Sequence, residues 1–242
     1  MSMGTRVYPH ERFRGVYWAE INGARRLATA NLARGQRVYG EQLIEYGNVE
    51  YRVWDPYRSK LAAAILRGMK HLPIEEGSRV LYLGAASGTT SSHISDIVGP
   101  DGMVYCVEIS PRPMRDLLTV CARRPNMTPI LGDARNPGSY SSIVRAVDVI
   151  YQDVAQPDQT EIMLTNIRTF LRGKGHGMMV VKARSIDVTR DPEELYTEET
   201  EKLRRENEVL EVVQLEPYEK DHAMIVLTLP TNKFGGFLEA HT

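Results

Sequence analysis

Short alternating segments fill the first fifty residues. Val7-Tyr8, Val16-Tyr17-Trp18, Leu27-Ala28-Thr29, Arg37-Val38-Tyr39 and Glu50-Tyr51-Arg52-Val53-Trp54 are separated by Pro9, Gly15, Asn22-Gly23, Gly40 and Gly47. Runs of this kind punctuated by turn residues read as strands, and Asn-Gly between two of them reads as a hairpin turn. A small antiparallel β domain over residues 1–54 is expected. Asp55-Pro56 then stops the sheet, because Asp suits a helix N-cap and Pro its first turn. Apolar positions at Leu61, Ala64, Ile65 and Met69 predict a helix from Tyr57 to Lys70, ended by Pro73 and Gly77.

From Arg79 onward the pattern changes. Apolar runs at Val80–Leu83, Met103–Ile109, Thr128–Leu131, Val147–Gln152 and Gly177–Ala183 alternate with helical stretches near Ser91–Val98, Pro113–Arg124 and Gln159–Leu171. A polar helix around Pro192–Asn207, whose glutamates read as a solvated face, precedes two late strands at Val209–Leu215 and His222–Leu229. Repeated β-α units of this size predict a doubly wound parallel sheet with right-handed crossovers. The short Pro217-containing connection between the last two strands fits an antiparallel hairpin at one edge. The expected second domain, residues 55–242, is therefore α/β. It has a seven-stranded, mostly parallel sheet with an antiparallel edge hairpin, the arrangement of Rossmann-like methyltransferases.

Composition adds bounds. A chain of 242 residues with 42% hydrophobic and 25% charged residues is ordinary for a soluble protein. No apolar run approaches the roughly 20 residues of a membrane span, and no signal peptide stands at the N-terminus, so a cytoplasmic protein is expected. Cys106 and Cys121 suit a reducing compartment and show no metal-ligand spacing; no metal site is expected. The net charge of −1 hides an asymmetry, since residues 1–79 carry 13 Lys/Arg against 8 Asp/Glu. Neither half is a strongly basic nucleic-acid module.

Candidate chemistry sits at the carboxyl ends of the strands, where open α/β sheets bind ligands. The first strand delivers the turn Gly84-Ala85-Ala86-Ser87-Gly88-Thr89-Thr90. A dinucleotide fingerprint needs G-x-G-x-x-G/A, and only Gly84 satisfies it, so a pyrophosphate cradle is not indicated. The second strand ends at Glu108, placed to accept from both hydroxyls of a ribose. The third ends at Asp133 and Ala134, and the acid suits an adenine amino group. The fourth delivers Asp153 through Gln156. The fifth delivers Lys182, a lysine ending a run that should be buried on both faces. An adenosine pocket without a pyrophosphate site points to S-adenosylmethionine, whose sulfonium and zwitterionic tail suit carboxylates and helix-terminal N–H groups.

Three stretches are more specific than a generic methyltransferase signature. They are residues 51–65 (Tyr51-Arg52-Val53-Trp54-Asp55-Pro56-Tyr57-Arg58-Ser59-Lys60 and onward), residues 82–90, and residues 148–157 ending Tyr151-Gln152-Asp153-Val154-Ala155-Gln156-Pro157. With these, nearly all of the chain resembles the fibrillarin family in its short archaeal form. Neither the glycine- and arginine-rich tail of eukaryotic members nor a nucleolus-directing segment is expected.

The resemblance implies an S-adenosylmethionine-dependent RNA 2′-O-methyltransferase acting on rRNA and tRNA inside a box C/D guide ribonucleoprotein. Its implied partners are a Nop-family scaffold protein, a kink-turn-binding ribosomal-type protein, box C/D guide RNA and substrate RNA. It implies cofactor contacts at Gly84, Ala85, Ala86, Thr89, Thr90, Glu108, Ile109, Asp133, Ala134, Asp153, Val154, Ala155 and Gln156. It also implies a Lys-Asp-Lys-His set at Lys60, Asp153, Lys182 and His222. Arg12, Tyr57, Arg58 and Arg184 are further candidates for RNA or scaffold contacts, on position and charge. Lys182 acts either as a charged stabiliser of a developing alkoxide or as a neutral base; the charged role, with Asp153 holding it, fits better. The competing readings are a protein glutamine methyltransferase, a non-catalytic structural subunit and a nicotinamide-dependent dehydrogenase. The four-residue polar set and the glycine pattern argue against them.

Overall fold

A computed structural model describes residues 4–230; residues 1–3 and 231–242, the outer ends of the two predicted domains, lie outside the described residues. Two sheets organise the chain. The first comprises β1 (Arg6–Pro9), β2 (Val16–Ile21), β3 (Ala24–Ala30), β4 (Leu43–Tyr46) and β5 (Val49–Trp54), in the order β1-β2-β3-β5-β4, antiparallel throughout. Asn22 and Gly23 both take positive φ between the paired ends Ile21 and Ala24, the turn that the dipeptide predicted.

Two expectations in this region are corrected. Arg37-Val38-Tyr39 is not a strand. The Glu41 carboxylate accepts the N–H groups of Val38 (3.0 Å) and Tyr39 (2.9 Å), so the backbone curls around a side chain and makes no ladder. The missing strand is Leu43–Tyr46, which turns through Gly47 (φ 61°) onto β5. The first helix also starts late. Asp55 Oδ1 accepts the Tyr57 N–H (2.9 Å) within a turn, and α1 (Lys60–Leu66) is capped by Ser59, whose Oγ accepts from Ala62 N–H (3.4 Å). It ends at Leu66, with Arg67 as its cap and Gly68 following in the left-handed region (φ 89°), short of the expected Lys70.

The second sheet holds β6 (Arg79–Leu83), β7 (Met103–Glu108), β8 (Met127–Leu131), β9 (Val147–Gln152), β10 (Leu171–Lys182), β11 (Glu208–Gln214) and β12 (His222–Thr228). Its order is β11-β12-β10-β9-β6-β7-β8, and only β12 runs against its neighbours. Helices α2 (Thr89–Val98), α3 (Pro111–Cys121) and α4 (Gln159–Phe170) follow β6, β7 and β9. A single turn, α5 (Ala183–Ile186), and α6 (Pro192–Arg204) lie between β10 and β11. β10 is longer than predicted; it begins at Leu171 and slips register before His176, so Gly173 and Gly175 lie inside it.

One helix joins the sheets. Residues Thr90–Val98 of α2 are all buried, although Ser92, His93, Ser95 and Asp96 are polar. The second sheet covers one side of α2 and the first sheet covers the other. Asp96 accepts from Arg52 (2.9 Å), Arg124 (2.5 Å), Thr29 Oγ1 (2.8 Å) and the Leu32 N–H (3.0 Å). Arg52 also donates to Glu41 (2.7 Å) and Ser92 Oγ (3.0 Å). His93 stacks on Trp54 at 4.7 Å and lies between Thr29 (2.7 Å) and the Tyr39 hydroxyl (2.8 Å). Thr29 gives its hydrogen to Asp96, so Nδ1–H of His93 donates to Thr29 and Nε2 accepts from Tyr39.

Asp96→Ala leaves two buried guanidinium groups without their shared partner. We expect a loss of about 3–5 kcal/mol, read as a lower urea midpoint at unchanged m-value; a wild-type midpoint would refute this. Burial, aided by Arg52 and Arg124, holds the His93 imidazole well below its usual 6.5. The unfolded chain binds a proton near that pH and the folded chain does not. Stability from neutral His93 is full above pH 6.5 and falls as pH drops, by up to about 1.4 kcal/mol per pH unit. Urea midpoints across this range should fall with acidity, and His93→Gln should flatten the slope.

Candidate active site

The site grows from the end of β6. Gly84 sits at φ 81°, and a Cβ there would lie 2.8 Å from the Asp153 carbonyl oxygen. Only glycine lets the turn after β6 close against the loop after β9. Ala86 is also left-handed (φ 47°), and its N–H donates to Glu108 Oε2 (2.8 Å). Glu108 Oε1 accepts from Ser110 N–H (2.7 Å). The buried Glu108 carboxylate therefore ties the first turn to the end of β7 and keeps lone pairs for a ligand.

A cavity of about 240 Å³ opens between these strand ends. Each parallel strand contributes to it: Gly84 and Ala86 after β6, Glu108 and Ile109 at β7, Asp133 and Ala134 after β8, Asp153 through Gln156 after β9, and Lys182 ending β10. Ala85, Thr89 and Thr90 are not among its lining residues. Ala85 is buried in the core, and Thr90 Oγ1 donates to Ser59 Oγ (3.0 Å), bracing the N-cap of α1 directly before Lys60.

Asp153 is the meeting point. Its Oδ1 lies 2.8 Å from Lys182 Nζ and its Oδ2 3.2 Å from Lys60 Nζ. Lys182 Nζ also donates to the Asp153 carbonyl (3.0 Å). All three side chains are largely buried, at 14–17% exposure, so these charges face little screening water. His222 opposes Lys182 in the β10–β12 ladder. Its Nδ1 lies 2.6 Å from the Lys220 carbonyl, which can only accept, so Nδ1 carries a proton and donates to it. Arg184 does not join the cluster; it pairs with Asp221 (2.9 Å) and donates to the carbonyls of Val188 and Arg190. Arg12 lies exposed on the loop between β1 and β2.

Three residues outside the sequence reading matter here. Glu219 Oε1 comes within 3.9 Å of Lys60 Nζ. It is a loop acid with no local signal. Arg135 lines the cavity and bridges to Gln156 (2.6 Å) and Asp158 (2.8 Å), fastening the loop after β8 to the loop after β9. Gln159, fully buried at the start of α4, accepts from Lys182 N–H (3.0 Å) and donates to the Gln156 carbonyl (3.1 Å). Its own carbonyl accepts from Gln152 (2.7 Å). Two buried glutamines seven positions apart, flanking Asp153, were the available signal.

Seven strands in this order, one reversed strand near the edge and acids at successive strand ends define a Rossmann-like methyltransferase fold. The fibrillarin family model matches residues 7–230. The chain belongs to the fibrillarin family. A fibrillarin-like rRNA/tRNA 2′-O-methyltransferase of Methanopyrus kandleri is 56% identical, over 91% of this chain and 96% of its own. The structure of Aeropyrum pernix fibrillarin in complex with natively bound S-adenosyl-L-methionine is 54% identical, with a TM-score of 0.87 over 93% of this chain and 99% of that one. A fibrillarin/Nop5p complex includes a chain 42% identical, with a TM-score of 0.83 over 91% of this chain and all of that one.

Gln159→Leu keeps the volume but leaves the Lys182 N–H unpaired in the interior. A loss of about 1–3 kcal/mol is expected from that group, measured by urea denaturation. A neutral result would show that Gln159 does not hold this strand end.

Proposed function

We propose that this protein transfers a methyl group from S-adenosylmethionine to ribose 2′-hydroxyls of rRNA and tRNA, as the catalytic subunit of a box C/D guide ribonucleoprotein. The observation that carries the reading is the Lys60–Asp153–Lys182 cluster beside the strand-end cavity. The relatives support the substrate class, the cofactor and a Nop-family scaffold partner. The kink-turn-binding protein, guide RNA and substrate RNA complete the proposed particle.

The cavity suits the cofactor on its own chemistry. The glycine at position 84 lets backbone approach backbone, so a ligand meets a turn of small residues. Acids line the cavity, and its two cations are already paired, Arg135 with Asp158 and Lys182 with Asp153. Such a lining favours a sulfonium, an amino group and ribose hydroxyls over phosphates. Glu108 would hold the ribose, Asp133 the adenine amino group, and Ile109 and Ala134 the faces of the base. The turn from Gly84 to Thr90 and the loop Asp153–Gln156 would hold the methionine end.

When bound, S-adenosylmethionine supplies an electrophilic methyl group. The chain's own residues prepare the acceptor. The substrate hydroxyl is a poor nucleophile, and its proton must leave to solvent for methyl transfer; as the O–H bond breaks, negative charge develops on its oxygen. Lys182, as an ammonium fixed by Asp153, donates to that oxygen as the charge develops. Lys60 holds the other oxygen of Asp153, so the carboxylate cannot rotate away. His222 positions the ribose through Nε2. Alignment of the oxygen with the methyl group is the remaining contribution.

Lys182→Ala should lower kcat for methyl transfer to guided RNA by at least about 10²–10³-fold, with S-adenosylmethionine affinity by calorimetry within a few-fold of wild type. Near-normal transfer would overturn the assignment of Lys182. Transfer of tritiated methyl to protein in place of RNA would overturn the substrate class.

A further inference from the structure

The loop of residues 215–221, between β11 and β12, reaches the Lys60–Asp153–Lys182 cluster from a third direction. It is closed at its base. Leu215 N–H donates to the His222 carbonyl (3.0 Å), and the Leu215 carbonyl accepts from the N–H groups of Tyr218 (3.0 Å) and Glu219 (3.2 Å). It is also fastened to the end of β10. The Asp221 carbonyl accepts from Ala183 N–H (3.1 Å), and the Asp221 carboxylate accepts from Arg184 Nε (2.9 Å). Ala183 directly follows Lys182. A loop tied in this way carries its side chains in fixed directions.

Glu219 points inward from this loop. Its Oε1 lies 3.9 Å from Lys60 Nζ, whose other partner is Asp153 Oδ2 at 3.2 Å. The Lys60 ammonium therefore stands between two carboxylates, one from β9 and one from the loop. The Glu219 side chain is 26% exposed and that of Lys60 17%, so water screens the pair only in part. The Glu219 charge also reaches beneath the cluster. The buried Tyr151 hydroxyl is held well above its usual range by burial first, and then by Tyr82, Asp153 and Glu219. Among the described residues, Lys60 is the one cation paired with Glu219. A lysine carries a point charge on a flexible four-carbon stem. Held by one carboxylate, its ammonium can pivot about that contact; held between two, it cannot.

We propose that Glu219 is a positioning residue for methyl transfer: its carboxylate fixes the Lys60 ammonium, and through Lys60 it fixes the Asp153 carboxylate that orients Lys182. The proposal rests on the methyltransferase reading above. Glu219 acts without touching the reacting atoms. An unpaired carboxylate at this place would repel the phosphates flanking a target ribose, whereas one paired with Lys60 does so less. When the charge is removed, Lys60 gains freedom, Asp153 loses its second hold, and the donor on Lys182 loses its alignment with the substrate oxygen.

The test uses the assembled particle with guided substrate RNA and tritiated S-adenosylmethionine. Glu219→Gln keeps the shape of the side chain and removes its charge. It should lower kcat about 10–10²-fold, with KM for substrate RNA, S-adenosylmethionine affinity and the urea midpoint all at wild-type values. Lys60→Met supplies the comparison that separates a positioning role from a local one. If Glu219 acts through Lys60, adding Glu219→Gln to Lys60→Met lowers kcat no further, whereas independent effects multiply.

A wild-type kcat in Glu219→Gln would overturn the proposal. So would a raised KM at unchanged kcat, which would make Glu219 a substrate contact. Full multiplication in the double variant would place its action elsewhere in the loop, and a urea midpoint that falls together with kcat would make its role structural; either result defeats the proposal. If the wild-type particle methylates guided RNA and Glu219→Gln matches it, only this proposal fails. If the wild-type particle does not methylate RNA, the functional reading fails first.

Discussion

A single buried carboxylate holds the two sheets in register. Asp96 accepts four hydrogen bonds, two of them from the guanidinium groups of Arg52 and Arg124. Burying three charges costs several kcal/mol per ion, and apolar side chains could fill the same space. What ions add is direction, since each donor must meet one oxygen at one angle. Arg52 lies on β5, the strand that runs into Trp54, Asp55 and then Lys60. Fixing Arg52 on α2 therefore fixes where α1 begins. Thr90, on the same helix as Asp96, completes the arrangement by bracing Ser59. The first sheet thus positions one lysine of the cluster to which the chemistry is proposed to belong.

The other lysine is placed by the second sheet. β10 carries Lys182 to the end of its run beside β9, and Gln159 pins its backbone to the loop that holds Asp153. Asp153 is reached from two independently built directions. A displacement in either sheet would separate an ammonium from the carboxylate. Both polar networks, at Asp96 and at Gln159, therefore bear on the same few ångströms.

The strands of the second sheet were legible because their runs are buried on both faces and bounded by turn residues. Glu108, Asp133, Asp153 and Lys182 were legible for the same reason, since polar residues ending apolar runs stand out. The corrections share a cause. Arg37–Tyr39 has a strand's composition, but Glu41 captures its N–H groups, and that depends on Arg52 holding Glu41. The polar residues of α2 suggest a solvated face, and no local pattern shows that a second sheet covers it. Arg52 and Asp96 lie 44 positions apart, and Lys60 and Glu219 farther still. Such pairings are set by tertiary packing and leave no local periodicity.

On the function proposed above, the charge balance of the Lys60–Asp153–Lys182 cluster bears on how it would work. Lys60 and Lys182 both face Asp153, and Lys60 also faces Glu219 at longer range, so two cations meet two anions. A balanced cluster presents little net field to a neutral hydroxyl, and ground-state binding gains little from it. As negative charge grows on the oxygen, an ammonium already oriented by Asp153 gains attraction without reorganising. An interaction that strengthens only along the reaction lowers the barrier, whereas one equally strong at the start does not. Two lysines on one carboxylate serve this end better than one. Lys60 holds Asp153 in place, so Lys182 can turn a donor toward the substrate while the carboxylate remains paired.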